Sequence, residues 1–178
     1  MDISFRTATC ADADGIARLH AASWQSAYRG IVPDVFLDAD LVGERTAYWA
    51  QKMRGLSGRE FVILVELGGE LLGFCAVLDR PEHGYDALID NLHVRPDRKG
   101  HGIGRALMKA AAERLIASGR SSVYLWVLDG NTPAEGFYAS RAGQPEDVSV
   151  TSYGGHPVRQ TRYVWRTLDA LTSSAAAR

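Results

Sequence analysis

The stretch that most restricts how this chain can fold is Val94-Arg95-Pro96-Asp97-Arg98-Lys99-Gly100-His101-Gly102-Ile103-Gly104-Arg105-Ala106-Leu107. A short apolar run, 87–94, leads into it. A helical pattern, 102–118, leads out, with Ile103, Leu107, Ala110, Ala111 and Leu115 on one side and Arg105, Lys109, Glu113 and Arg114 on the other. A further apolar run follows at 122–128. Strand, helix, strand is a crossover, which mixes a parallel pair into whatever sheet the rest of the chain builds. The helix start leaves backbone N–H groups without partners and carries partial positive charge, while glycines let a ligand come close to the backbone. With Arg98, Lys99 and Arg105 around the same turn, the combination suits a pyrophosphate. The Walker spacing is absent, and Gly100-His101-Gly102-Ile103-Gly104 does not match the dinucleotide fingerprint. A glycine turn serving geometry alone is the other reading, and the three cations weigh against it.

The remaining pattern supplies the rest of the sheet. Residues 3–8 alternate as a half-buried strand, and a helix capped by Asp12 or Asp14 carries Ile16, Leu19, His20, Ser23, Trp24, Ala27 and Tyr28 on one stripe up to Gly30. A second helical stretch runs from Pro33 to about residue 52, with Leu41, Arg45, Tyr48, Trp49 and Met53 in register. Runs 61–67 and 71–78 flank Gly68-Gly69-Glu70 as an antiparallel hairpin, 132–142 reads as a short helix, and 148–153 with 158–167 form a hairpin around Gly154-Gly155. The expected fold is α/β (α+β): a mixed, mostly antiparallel sheet of about seven strands with about four helices. Residues 1–170 form one domain on this reading, and 171–178 a disordered tail.

Composition narrows the partners. With 178 residues, 46% of them hydrophobic, there is material for one substantial core. A net charge of -1 lacks the broad positive field that nucleic acid or acidic lipid attracts, so a small-molecule or peptide partner is expected, with no nucleic acid and no membrane. Cys10 and Cys75 are too isolated for a disulfide framework, and His20, His83, His93, His101 and His156 share no metal-ligand spacing, so no metal is expected. The N-terminus lacks the order of a secretion signal and no apolar run approaches the roughly 18 residues of a membrane span, which points to the cytoplasm.

The glycine run resembles the acyl-CoA-binding signature of the GCN5-related N-acetyltransferases: a strand ending Val-x-Pro, then Gln or Arg, two residues, Gly-x-Gly and a helix. Here the Gly-x-Gly is Gly102-Ile103-Gly104, with Lys99 in the Gln/Arg position. Tyr124-Leu125-Trp126-Val127-Leu128 followed by Asn131, Ala134, Phe137 and Tyr138 resembles the family's second signature, a strand and then Asn-x-x-Ala-x-x-Phe-Tyr, with Ala142-Gly143 replacing its usual ending. The resemblance spans most of the chain. It implies a sheet splayed between the fourth and fifth strands and acetyl-CoA as donor, without a covalent intermediate. Leu92, His93 and Val94 would then pair with the pantetheine arm, an N–H near Leu92 polarising the thioester. Lys99, Gly100, His101, Gly102, Ile103, Gly104 and Arg105 would hold the pyrophosphate, Asn131 would meet the cofactor from the other side, and Tyr138 would bind it and protonate the sulfur.

For the general base the strand offers Asp90, and His93 is the alternative; a solvent-facing aspartate and a packed histidine are the plain readings. Trp24 and Tyr28 either shape the acceptor pocket or belong to the core, Trp126 reads as sheet core, and Cys75 as a buried structural thiol. Amino acids, polyamines, antibiotics and protein N-termini all remain open as the amine acceptor. A homodimer through the C-terminal strands is compatible with the resemblance. The rival function is a catalytically degenerate module that binds or senses acyl-CoA.

Overall fold

The computed structural model describes residues 3–173. In chain order the elements are β1 (Ile3–Thr7), α1 (Ala13–Ala27), α2 (Asp34–Leu37), α3 (Leu41–Gly55), β2 (Phe61–Leu67), β3 (Glu70–Leu78), β4 (Leu88–Val94), α4 (Ile103–Ala117), β5 (Val123–Leu128), α5 (Thr132–Ala139), β6 (Gln144–Tyr153), β7 (His156–Trp165) and α6 (Asp169–Thr172). Seven strands form one sheet in the order β1-β2-β3-β4-β5-β7-β6, antiparallel except for β4 and β5. The β2–β3 hairpin closes on Gly68 and Gly69, whose φ values of 59° and 84° are the pair a two-residue primed turn requires.

Period-two alternation sorts the side chains of β2 and β3 between two layers. Val62, Leu64, Phe74 and Ala76 pack with Ile16 and Leu19 of α1 and Trp49 and Met53 of α3. Ile63, Val65, Cys75 and Val77 pack with Leu107, Ala111 and Leu115 of α4 on the opposite face.

Strand β4 breaks the alternation. Ala76 stands opposite Asn91 while Val77 stands opposite Ile89, so Asp90 is an extra, unpaired residue in β4. Without it Ile89, Asn91 and His93 would share a face. With it Ile89 joins the α4 layer, as do Leu92 and Val94, whereas His93 stacks near Phe74 and His20 on the α1 side. The same kink separates β4 from β5. Leu88 opposite Tyr124 is the single register pair between them, supported by Tyr124 N–H donating to the Ala87 carbonyl at 3.1 Å, and the strands part beyond it.

Several boundaries differ from those the sequence suggests. The stretch after Pro33 is two helices, because Asp40 turns its carboxylate onto Gly43 N–H at 2.9 Å and starts α3 afresh. α5 stops at Ala139, with Ala142 at φ 62° and Gly143 N–H closing onto the Tyr138 carbonyl. Strands β6 and β7 reach further toward their N-terminal ends than apolar alternation marks, because the outer strand carries exposed side chains and pairs through its backbone. The ordered domain also passes residue 170: α6 buries Leu171 in the α4 layer. The rest of the expected tail, 174–178, lies outside the described residues.

Candidate active site

The gap between β4 and β5 is a cavity of about 500 Å³. Strand polarity determines what its β4 wall offers. Arg95 N–H donates to the Leu72 carbonyl of β3 at 2.8 Å, so by alternation the N–H groups of Val94 and Leu92 point the other way, into the gap. Trp126 and Val127 of β5 face them, and Trp126, expected in the sheet core, is only half-buried because the strand beside it has moved away.

At the mouth, α4 begins at Gly102, which sits at φ 78°, and Gly100 sits at φ 79°. A Cβ on either would meet nothing within 4 Å, so open space lies beside this backbone. The first helical bond is Ala106 N–H to the Gly102 carbonyl at 3.0 Å; the preceding amides lack intrahelical acceptors and carry the positive end of the helix dipole. Arg98, Lys99, Arg105 and Arg141 line the cavity, whereas Arg95 is committed to Glu70 and Asp97. Gly104 lies under the Phe137 ring, 3.4 Å from where its Cβ would be, which lets α4 and α5 approach.

The residues expected to bind a cofactor gather here: Leu92, His93, Val94, Lys99, Gly100, Gly102, Ile103, Gly104, Arg105, Asn131 and Tyr138 all line the gap. His101 does not; it is exposed, and its Nδ1–H turns back to the Lys99 carbonyl at 2.8 Å. Tyr138 comes off α5 buried, with Phe137 beside it at 5.2 Å between ring centroids. Burial, and then the neighbouring Tyr28 and Cys75, push its hydroxyl well above the usual phenol range, so it holds its proton. Among the described residues no group hydrogen-bonds that hydroxyl.

Trp24 and Tyr28 separate. Tyr28 lines the gap, while Trp24, 5.5 Å away between centroids, lines a second cavity of about 460 Å³ on the α1 and α3 side of β4. Asp90 lies in this second cavity and is not a solvent-facing aspartate. Its Oδ2 takes Lys52 Nζ at 2.6 Å, the Tyr48 hydroxyl at 3.3 Å and a close contact from its neighbour Asn91 Nδ2. Burial lowers the Lys52 pKa, but attraction to Asp90 and bonds to Asp90 and Tyr48 outweigh it and leave the ammonium above its ordinary value.

His93 joins the two cavities. It lines the gap, its Nδ1 is 3.0 Å from Ser23 Oγ, and its ring lies 4.4 Å from that of His20, which lines the second cavity. Burial, with Lys99 and Arg45 adding repulsion, pushes His93 down to about 3, so it is neutral near pH 7. Cys75 lies in the core, its thiol pushed up to about 12 by burial, and serves as packing. Ser23, His20, Arg45 and Tyr48 stand on helical stripes in the sequence, and nothing local shows that the stripes converge, with Ser23 lining the gap and the other three the second cavity.

A mixed sheet parted between its parallel strands, with a glycine-started helix aimed into the parting, defines an α/β acetyltransferase fold. The chain belongs to the Acetyltransferase (GNAT) family, whose model matches residues 19–143. It is 30% identical over 173 residues to the uncharacterized N-acetyltransferase YuaI of Bacillus subtilis, covering 95% of this chain and 96% of that one. An L-methionine sulfoximine/L-methionine sulfone acetyltransferase of Pseudomonas aeruginosa is 30% identical over 113 residues, 56% of this chain and 66% of its own. Among solved structures, the PaiA N-acetyltransferase of Thermoplasma acidophilum in complex with coenzyme A superposes with a TM-score of 0.73 at 17% identity, covering 92% of this chain and 100% of that one.

Proposed function

We propose that this protein uses acetyl-CoA to acetylate a primary amine by direct transfer. The observation that carries the reading is the convergence of three features on one gap: the α4 N-terminus with its cations, the unpaired β4 edge, and the Tyr138 hydroxyl. Bound acetyl-CoA supplies a thioester-activated acetyl group. The space beside Gly100 and Gly102 fits a pyrophosphate against the α4 amides, with Lys99 and Arg98 as counter-charges. The Leu92 and Val94 N–H groups suit an extended arm laid along β4 as an added strand, and a donor at that edge polarises the thioester carbonyl. Asn131 contacts the arm from the α5 side. Tyr138 supplies the proton to the sulfur as it leaves.

The amine approaches from the second cavity. Asp90 is the group that takes its proton: three donors crowd Oδ2, while no described residue donates to Oδ1. The buried Cys75 and the absence of Cys10 from both cavities favour direct transfer over an acyl-cysteine. The test is release of free thiol from acetyl-CoA by the purified chain with a library of amines, with acetylated product read by mass spectrometry. Tight acetyl-CoA binding without turnover on any amine overturns the enzyme reading in favour of a binding module.

A further inference from the structure

The second cavity holds a cation that the chemistry above does not use. Arg45 has only 11% of its side chain exposed, and its Cζ lies 4.7 Å from the Trp24 ring and 4.7 Å from the Tyr48 ring, so two aromatics fix the guanidinium. Among the described residues its single hydrogen bond is Nη2 to Glu44 Oε1 at 2.6 Å, and Glu44 is itself 49% exposed. The buried Nε has no partner. A guanidinium has five N–H donors; here the buried Nε–H is unmatched, which costs free energy, and Glu44 engages only Nη2, leaving donors for an anion in the cavity.

A second donor faces the same problem. Trp49 Nε1–H donates to His20 Nδ1 at 2.9 Å, which puts the proton of the neutral imidazole on Nε2. His20 is 1% exposed, lines this cavity, and its Nε2 is buried with no partner. Two carboxylates also line the cavity: Glu44, bonded to Arg45, and Asp90, whose Oδ1 accepts from no described residue. Burial above all, and then His93, Arg45 and Lys52, disfavours protonation of His20, so its imidazole stays neutral and Nε2–H stays a donor.

We propose that the acceptor amine also carries a carboxylate, as a free amino acid does, and that Arg45 and His20 Nε2–H bind the carboxylate while Asp90 receives the amine. The assignment rests on the second cavity being the acceptor site of the proposed acetyltransferase. It disfavours polyamines and polycationic antibiotics, which bring no carboxylate to complete Arg45 and His20.

The test offers the full chain and acetyl-CoA the common L-amino acids, each with its carboxamide and its decarboxylated amine, and spermidine as the polycation. The expected result is a kcat/KM for the acids about ten- to a hundred-fold above their carboxamides, the range of a charge-assisted hydrogen bond. Arg45→Gln should bring that ratio close to one. Equal use of acid and amide by the unaltered chain, or preference for spermidine, overturns the proposal, and this comparison stands even if the variant fails to fold. If no acceptor of either kind is acetylated, the transferase reading fails separately. Thermal shift with coenzyme A then decides the pocket: stabilisation by acids and not amides, lost in Arg45→Gln, supports it, and no such selectivity overturns it.

Discussion

Single residues carry the most direct consequences. Tyr138→Phe keeps the ring packing against Phe137 and removes only the unbonded hydroxyl, so we expect turnover to fall by about 10- to 1,000-fold with little change in acetyl-CoA affinity. Turnover at the unaltered rate across pH would remove Tyr138 from the chemistry. Asp90→Asn should depress turnover more at low pH than at high pH, since solvent takes over deprotonation of the amine as pH rises; pH-rate profiles of both forms read this. A uniform loss would instead mark Asp90 as a positioning group for Lys52 and Tyr48. The buried imidazoles make a separate claim about stability. His93 is pushed down to about 3 from an ordinary 6.5, and His20 is lowered by burial and by His93, Arg45 and Lys52. Below 6.5 the unfolded chain binds these protons and the folded chain resists them, so stability is full above 6.5 and falls as pH drops toward 3. Urea denaturation at pH 7 and pH 5 should show the loss, and His93→Gln should reduce its slope.

Among the elements, α4 and β4 divide the work. The start of α4 is a local matter: glycines at φ near 78° with empty space beside them leave its first amides open, as the proposed anion seat requires. Gly102→Val places a β-branched side chain at a left-handed φ, costing roughly 1–2 kcal/mol, and fills the seat. We expect a folded protein whose acetyl-CoA affinity by calorimetry is at least about tenfold weaker, since the amides it displaces provide charge-assisted bonds. β4 is different. Asp90 was readable as a carboxylate on a strand, but not as the bulged residue, because a bulge is defined against the partner strand and the adjacent polar pair Asp90-Asn91 does not show which member is unpaired. That one extra residue turns His93 toward His20 and parts β4 from β5, creating both cavities at once.

At the scale of the whole molecule, the last helix closes the α4 layer. Leu168 and Leu171 are 2% and 5% exposed, and Leu171→Ala should cost about 2–4 kcal/mol, lowering the thermal midpoint by roughly 5–15 °C. An unchanged midpoint would mean that the domain ends at β7. The expected boundary at residue 170 missed this helix because four residues are too few to show a period. Apolar periodicity, the paired glycines and the order of elements were enough to determine the seven-strand mixed sheet, its crossover and the glycine-started helix, because each of these is set by neighbours a few positions apart. The second cavity was not determined that way. His20 and Trp24 on α1, Arg45 and Tyr48 on α3, Asp90 on β4 and Tyr153 on β6 are brought together only when the two helices cross the bulged strand. Whether a charge in such a place is paired, stacked or left waiting for a ligand depends on partners distant in sequence, and so the character of the second cavity belonged to the tertiary structure alone.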